Sequence, residues 1–237
     1  VRRMSGEARH TRYFALARQF LTTGLVQALA YRVEFFVSLF IAVFWAAFTL
    51  APLTIVFSHR DEVGGWTFAQ SLVVLAFFVM QKALLEGFVA PNLMQIVEHV
   101  RTGTLDYVLL RPADAQFLLS FSRFAFPKLI DFTGGLLLFG YAIHATGHVP
   151  SPLEALACLA LFMSGTVILY AIFTLVVSTA FWLVRVDNLA FVLDAVFDAG
   201  QFPVTVFRGS ARVILTFVIP VGLMTTYPAM ALLGMLD

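Results

Sequence analysis

The chain has 237 residues, 60% of them hydrophobic and only 12% charged, with a formal net charge of +1. Soluble domains use roughly 25% charged and 45–50% apolar residues, so a soluble fold of this length could not hide so much apolar surface. The apolar runs leave no room for a separate soluble domain, and residues 1–237 read as one membrane domain. The single cysteine, Cys158, sits in an apolar run and excludes an intrachain disulfide or a thiolate metal cluster.

Residues 1–32 carry Arg2, Arg3, Arg9, Arg12 and Arg18 without the apolar core of a secretory signal, so the first span is expected to act as the insertion signal. Within them Tyr13, Phe14, Ala17, Leu21, Leu25 and Ala28 fall on one side of a helical projection, opposite Arg12, Arg18, Gln19 and Thr22. That spacing predicts an amphipathic helix lying on the cytoplasmic leaflet.

A membrane helix needs about 20 mostly apolar residues. Val33 to Phe57 meets the test, followed by about Trp66 to Ala90, about Leu129 to Ala145, and Leu153 to Val184, with Gly165 a possible bend in the last. A fifth stretch begins after Arg212 and contains Pro220 and Pro228, which membrane helices tolerate where neighbours satisfy the freed backbone. Asn188 to Phe207 is also of spanning length but carries Asp194 and Asp198, in register with Asp187 and Gln201 on one stripe. It reads as a helix at the cytoplasmic interface or lining the bundle interior, rather than one facing lipid. The fold class expected is all-α: a polytopic bundle of about six membrane helices.

With the N-terminus and the 188–207 stretch both inside, internal segments hold every basic residue except Arg60 and the intramembrane Lys82. That asymmetry, which counts Arg208 and Arg212 as internal, follows the positive-inside rule. Ionisable residues at membrane depth are costly unless paired. Lys82 and Glu86, four residues apart, are expected to neutralise each other, and Arg123, Lys128 and Asp131 to do likewise. Structural pairing is favoured over a substrate or proton site.

The most informative stretch is the loop of residues 96–118. Arg101 followed by Gly103 has the look of a helix C-terminus, and Pro112 with Asp114 that of a helix start. Between them Leu105, Tyr107, Leu109 and Leu110 form an apolar, aromatic knob suited to docking a protein, against the plainer alternative of leucines dipping into lipid. His144 and His148 are weak candidates for metal ligands, since no zincin glutamate accompanies them. Ser164-Gly165-Thr166 lacks a neighbouring base for a nucleophile.

The run Val100-Arg101-Thr102-Gly103-Thr104-Leu105-Asp106-Tyr107-Val108-Leu109-Leu110-Arg111-Pro112 resembles the signature of the bacterial ABC-2 permease family, of the DUF990-like type. Ser178-Thr179-Ala180-Phe181-Trp182, Phe217-Val218-Ile219-Pro220 and Thr226-Tyr227-Pro228-Ala229 resemble later parts of its pattern. Family members generally carry a further span after the last of these, which this sequence does not include. The resemblance implies a multi-pass subunit of the bacterial inner membrane, dimerising with itself or with a second permease and paired with a cytoplasmic ABC ATPase. It implies that Arg101, Gly103, Thr104, Leu105, Asp106, Tyr107, Arg111, Pro112 and Asp114 form the coupling element, and that the N-terminal helix is the connecting helix.

Neither lysine, Lys82 or Lys128, follows the glycine-rich run of a P-loop. ATP and its Mg²⁺ are therefore expected on the partner, with no cofactor in this chain, no enzymatic activity of its own and no nucleic-acid partner. The expected function is export of a hydrophobic or amphipathic molecule driven by that partner. The alternative is an ATP-independent secondary transporter or proton-coupled channel using Lys82, Glu86 and Asp131 as a relay. An intramembrane enzyme would need convergent polar groups on several helices, and the sequence offers too few.

Overall fold

A computed structural model describes residues 32–111, 114–182 and 187–236, with positions 16, 18, 19, 22 and 26 ahead of them. The expected amphipathic helix of residues 1–32 lies almost wholly outside the described residues, as does Pro112.

The first helix, α1 (Arg32–Phe57), meets α2 where Phe57 packs edge-on against Phe68, their ring centroids 5.7 Å apart. Between the two helices lies a small hairpin of β1 (Glu62–Val63) and β2 (Trp66–Thr67), closed by Gly64 and Gly65. This defines one pole of the molecule, the hairpin end. Thr67 starts α2 (Phe68–Leu84) with a reciprocal capping box to Gln70. The rod continues through a π-helical turn (Leu85–Val89) into α3 (Ala90–Thr102), so a single unbroken element of 35 residues runs from Phe68 to the opposite pole, the loop end. That is about three turns longer at its far side than apolarity alone indicates, because the amphiphilic α3 continues it.

Two short helices follow at the loop end, α4 (Leu105–Leu109) and α5 (Ala115–Phe121). Then α6 (Lys128–Thr146) returns to the hairpin end, and α7 (Pro152–Ser178) descends again from a Ser151–Glu154 capping box. Among the described residues, α1, the α2–α3 rod, α6 and α7 are the four helices long and apolar enough to cross a membrane. The α2 section is the hub: Leu72, Val73, Val74, Leu75 and Ala76 are all almost completely buried, packed among α6, α7 and the C-terminal segments.

Gly165 does not bend α7, which stays α-helical from end to end. It serves a close crossing instead. A Cβ on Gly165 would lie 2.9 Å from Met224 Cα and 3.2 Å from the Leu223 carbonyl, so only glycine admits this backbone at mid-helix.

The last third departs from expectation. α8 (Asp187–Phe197) begins at the loop end, a few residues after α7 finishes there in a 3₁₀ turn (Thr179–Phe181). It passes into a 3₁₀ turn (Asp198–Gln201), breaks at Phe202-Pro203, and ends in a second 3₁₀ turn (Val204–Val206) against the hairpin. Trp66 Nε1 donates to Thr205 Oγ1 at 2.8 Å, and Val206 abuts Gly64. Of its two expected placements the 188–207 stretch takes the one within the bundle and does not lie along the loop-end interface, while Arg208 and Arg212, expected on the internal side, sit at the hairpin end with Arg60. The break has a local cause. A residue preceding proline is driven extended, as Phe202 is (φ −109°, ψ 147°), and the chain cannot continue as helix through Pro203. The backbone N–H this exposes at Val204 is met by Thr226 Oγ1 at 2.9 Å, the repair that membrane depth demands.

The final stretch is likewise interrupted: α9 (Ser210–Val213), a π turn (Ile214–Val218), α10 (Val221–Met224) and α11 (Thr226–Leu232). Ile219, extended ahead of Pro220, separates the two halves. Leu215 packs on Val204, Met224 reaches Gly165 at the middle of α7, and Gly234 comes back to Glu154 at its start. The segment thus dips from the hairpin end to mid-bundle and returns, where a single span after Arg212 was expected.

Candidate functional site

Two groups of side chains stand out, one inside the bundle and one projecting from it. The inner one is a ladder of charges. Lys82, on α2, is in direct contact with Asp198 Oδ1 at the α8 break and lies 4.0 Å from Glu86 Oε1 in the π turn. Lys128, opening α6, lies 2.5 Å from Glu86 Oε2 and 3.1 Å from Asp131 Oδ2. Asp194, one turn before Asp198, is within electrostatic reach of Lys82 and Lys128. Lys82 also sits 5.6 Å from the centre of the Phe78 ring. The expected Lys82–Glu86 and Lys128–Asp131 pairs are both present, but each is part of a longer chain tying three elements together. Arg123 joins this region through its backbone, which Asn92 holds on both sides.

Two amides that sequence reasoning passed over complete the interior. Gln81, fully buried, donates to the Phe162 carbonyl at 3.1 Å and accepts from Thr166 Oγ1 at 3.2 Å, pinning α2 to α7 beside Gly165. Thr166 thereby has a structural use. Asn92, also fully buried, bridges α3 to the turn after α5. The available signal was a lone amide inside an otherwise apolar run, since a buried amide must find partners.

The projecting group is the 96–118 loop. α3 ends at Gly103, whose left-handed backbone (φ 69°) lets its N–H turn back to the His99 and Val100 carbonyls. Arg101 in that last turn pairs with Glu98 at 3.2 Å. Asp114 caps α5, accepting from the Phe117 N–H at 2.9 Å. Between these fixed points α4 starts at Leu105, with Thr104 just before it. α4 turns Val108 inward and leaves Asp106 and Arg111 exposed, with Tyr107 71%, Leu109 57% and Leu110 80% exposed. Leu105 is half-buried and belongs to the base of the knob, not its tip.

Beside the knob, a groove of about 410 Å³ runs between the π turn, α5 and α7, lined chiefly by Phe88, Phe117, Phe121, Val167 and Tyr170. At the hairpin end His148 Nε2 lies 3.4 Å from Glu154 Oε2, and no group of three potential metal ligands occurs among the described residues. His144 and His148 do not converge with a third ligand.

No curated protein and no solved structure matches the chain. A family profile described as ABC-2 family transporter protein matches residues 43–237, more than four-fifths of the sequence and all but the start of the helical bundle. A bundle of apolar helices with a capped, exposed knob at one pole is thus accompanied by a match over nearly its whole length, and the chain belongs to the ABC-2 family of transporter proteins.

Proposed function

We propose that this ABC-type permease is the membrane subunit of an exporter powered by a separate ABC ATPase, which docks on the knob formed by α4. The observation that carries this is the exposure of Tyr107, Leu109 and Leu110 on an element fixed at both ends by Gly103 and Asp114. A loop meant only to pass between two spans has no need of an aromatic and two leucines held out in this way.

The loop end is the cytoplasmic end in this reading. The first residue of α1, Arg32, lies there with Arg101, Arg111, Arg123 and Lys128, whereas the hairpin end has Arg60, Arg208 and Arg212. Together with the arginines ahead of α1, the balance still favours the loop end as inside after Arg208 and Arg212 have changed sides. The membrane is then the bacterial inner membrane. Closure of the ATPase pushes on the knob, and rigid helices convert the push into alternating exposure of a path between this chain and a second permease, identical or different. ATP and Mg²⁺ are bound by the partner. That path takes a hydrophobic or amphipathic molecule.

The test is purification of the complex with its ATPase, followed by Tyr107→Ala. The reading expects an ABC ATPase to co-purify, and the substitution to separate hydrolysis from transport while the chain still inserts. Transport that persists without ATP and collapses with the proton gradient would instead support a proton-coupled carrier running through Lys82, Glu86 and Asp131.

A further inference from the structure

A line of hydrogen bonds, made by side chains along α3 as far as Arg123 and by backbone beyond it, runs from the knob toward the charge ladder. At the knob, Thr102 Oγ1 donates to the Glu98 carbonyl at 2.8 Å, Thr102 and Thr104 hydroxyls are 2.8 Å apart, and His99 Nδ1 lies 2.8 Å from Thr104 Oγ1. The other ring nitrogen, Nε2, is 3.2 Å from Gln95 Nε2. Ser122 donates to Gln95 Oε1 at 2.9 Å and reaches Asn92 Oδ1 at 3.2 Å. Asn92 donates to the carbonyls of Phe88 at 2.6 Å and Arg123 at 2.7 Å, and accepts from the Arg123 N–H at 2.8 Å. The next link is backbone, Ala125 N–H to the Gly87 carbonyl at 2.8 Å, and beyond it Lys128 reaches Glu86.

The chemistry of the donors gives the line a direction. With the Gln95 amide oriented this way its nitrogen only donates, so His99 Nε2 accepts and the ring carries its proton on Nδ1. Nδ1–H then donates to Thr104, Thr104 to Thr102, and Thr102 to the Glu98 carbonyl. From His99 to Glu98 each donor faces one acceptor, while the single Ser122 proton is shared between Gln95 Oε1 and Asn92 Oδ1, and linked bonds hold geometry better than isolated ones. A single α-helical rod would not by itself fix the α4 knob, which follows the left-handed turn at Gly103, nor the turn after α5, which comes from a separate part of the chain.

We infer that this line makes α4, α3 and the start of α6 one rigid lever, with His99 as the positioning residue at its joint with the knob, so that displacement of the knob is delivered to Lys128 and the ladder. The inference rests on the docking reading, but concerns what moves with the knob, not what pushes it.

The chain alone, in lipid nanodiscs, tests it. Spin labels replacing the exposed Leu109 and Leu129 should give one narrow distance distribution. His99→Phe, which keeps ring bulk but removes both bonds, should widen it about twofold, and His99→Gln, which retains a donor and an acceptor, should restore it. A broad distribution in the parent chain, or one that His99→Phe leaves unchanged, overturns the lever. This measurement needs no ATPase, so failure to recover one would strike the docking reading and leave the lever standing. In the complex trapped with ATP and vanadate, labels at Leu109 and Leu129 are each measured against one at Ser58. His99→Phe should abolish the nucleotide-driven shift at position 129 while that at 109 remains. Equal shifts at both positions in that variant would overturn the inference, and a merely structural histidine would not separate them.

Discussion

α2 and α4 are opposites in the same molecule. In the most apolar stretch of the α2–α3 rod 72% of residues are buried, and Gln70, Gln81 and Lys82 of α2 all have partners; α4 turns one valine inward and offers Tyr107, Leu109 and Leu110 to its surroundings. The contrast separates the residues that hold the bundle together from those which, on the proposed function, meet a partner. Substitutions along α2 should cost folding free energy, whereas substitutions at the tip of α4 should cost almost none and still abolish function.

The largest effect is expected at the ladder. Lys82→Met leaves the half-exposed Asp198 without its partner, and an unpaired charge in this position costs about 2–3 kcal/mol. Thermal unfolding in detergent should show the loss, and the added change Asp198→Asn should recover much of it. A Lys82→Met protein as stable as the parent would erase the distinction between the two regions.

Next comes Gly165→Val. Its side chain would press on the Met224 backbone, where no rotamer gives relief, and overpacking of this kind costs roughly 1–3 kcal/mol. The same unfolding measurement reads it, with Ala160→Val, on an exposed position of the same helix, expected to be neutral.

Trp66→Phe at the hairpin end removes the bond to Thr205 together with part of a buried ring, and the bond alone contributes about 1 kcal/mol. Hydrogen exchange at residues 204–206 should quicken by a corresponding factor of about five. Smallest of all is Tyr107→Ala, within about 0.5 kcal/mol of the parent in stability, the case in which coupling and folding should part company completely.

Much of this could be read from the residues. The bounds of α1 and α6 follow from apolar runs, and the end of α3 at Gly103 and the cap at Asp114 follow from local chemistry that depends on a few neighbouring residues. The crossing of residues 188–207 could not be read the same way. Two aspartates in an apolar stretch fit a surface helix as well as one lining the interior until Lys82, 116 positions away in sequence, is found beside one of them. Similarly, Gln81, Asn92 and His99 acquire meaning only from Phe162, Arg123 and Thr104. Hydropathy also could not single out α2 as the buried hub, since α1 is the more apolar of the two (mean hydropathy 2.2 against 1.9) and yet its window is 6% buried. The difference lies in polar residues needing partners, which α2 has and the exposed length of α1 lacks.

The most direct test of the account is a photo-cross-linking amino acid at position 107 in cells that express the whole complex. Docking of a nucleotide-hydrolysing partner on α4 predicts a cross-linked product containing an ABC ATPase, lost when the reactive group is moved to the inward-facing Val108. Cross-links confined to lipid, or modification of position 107 by a reagent restricted to the periplasm, would contradict it.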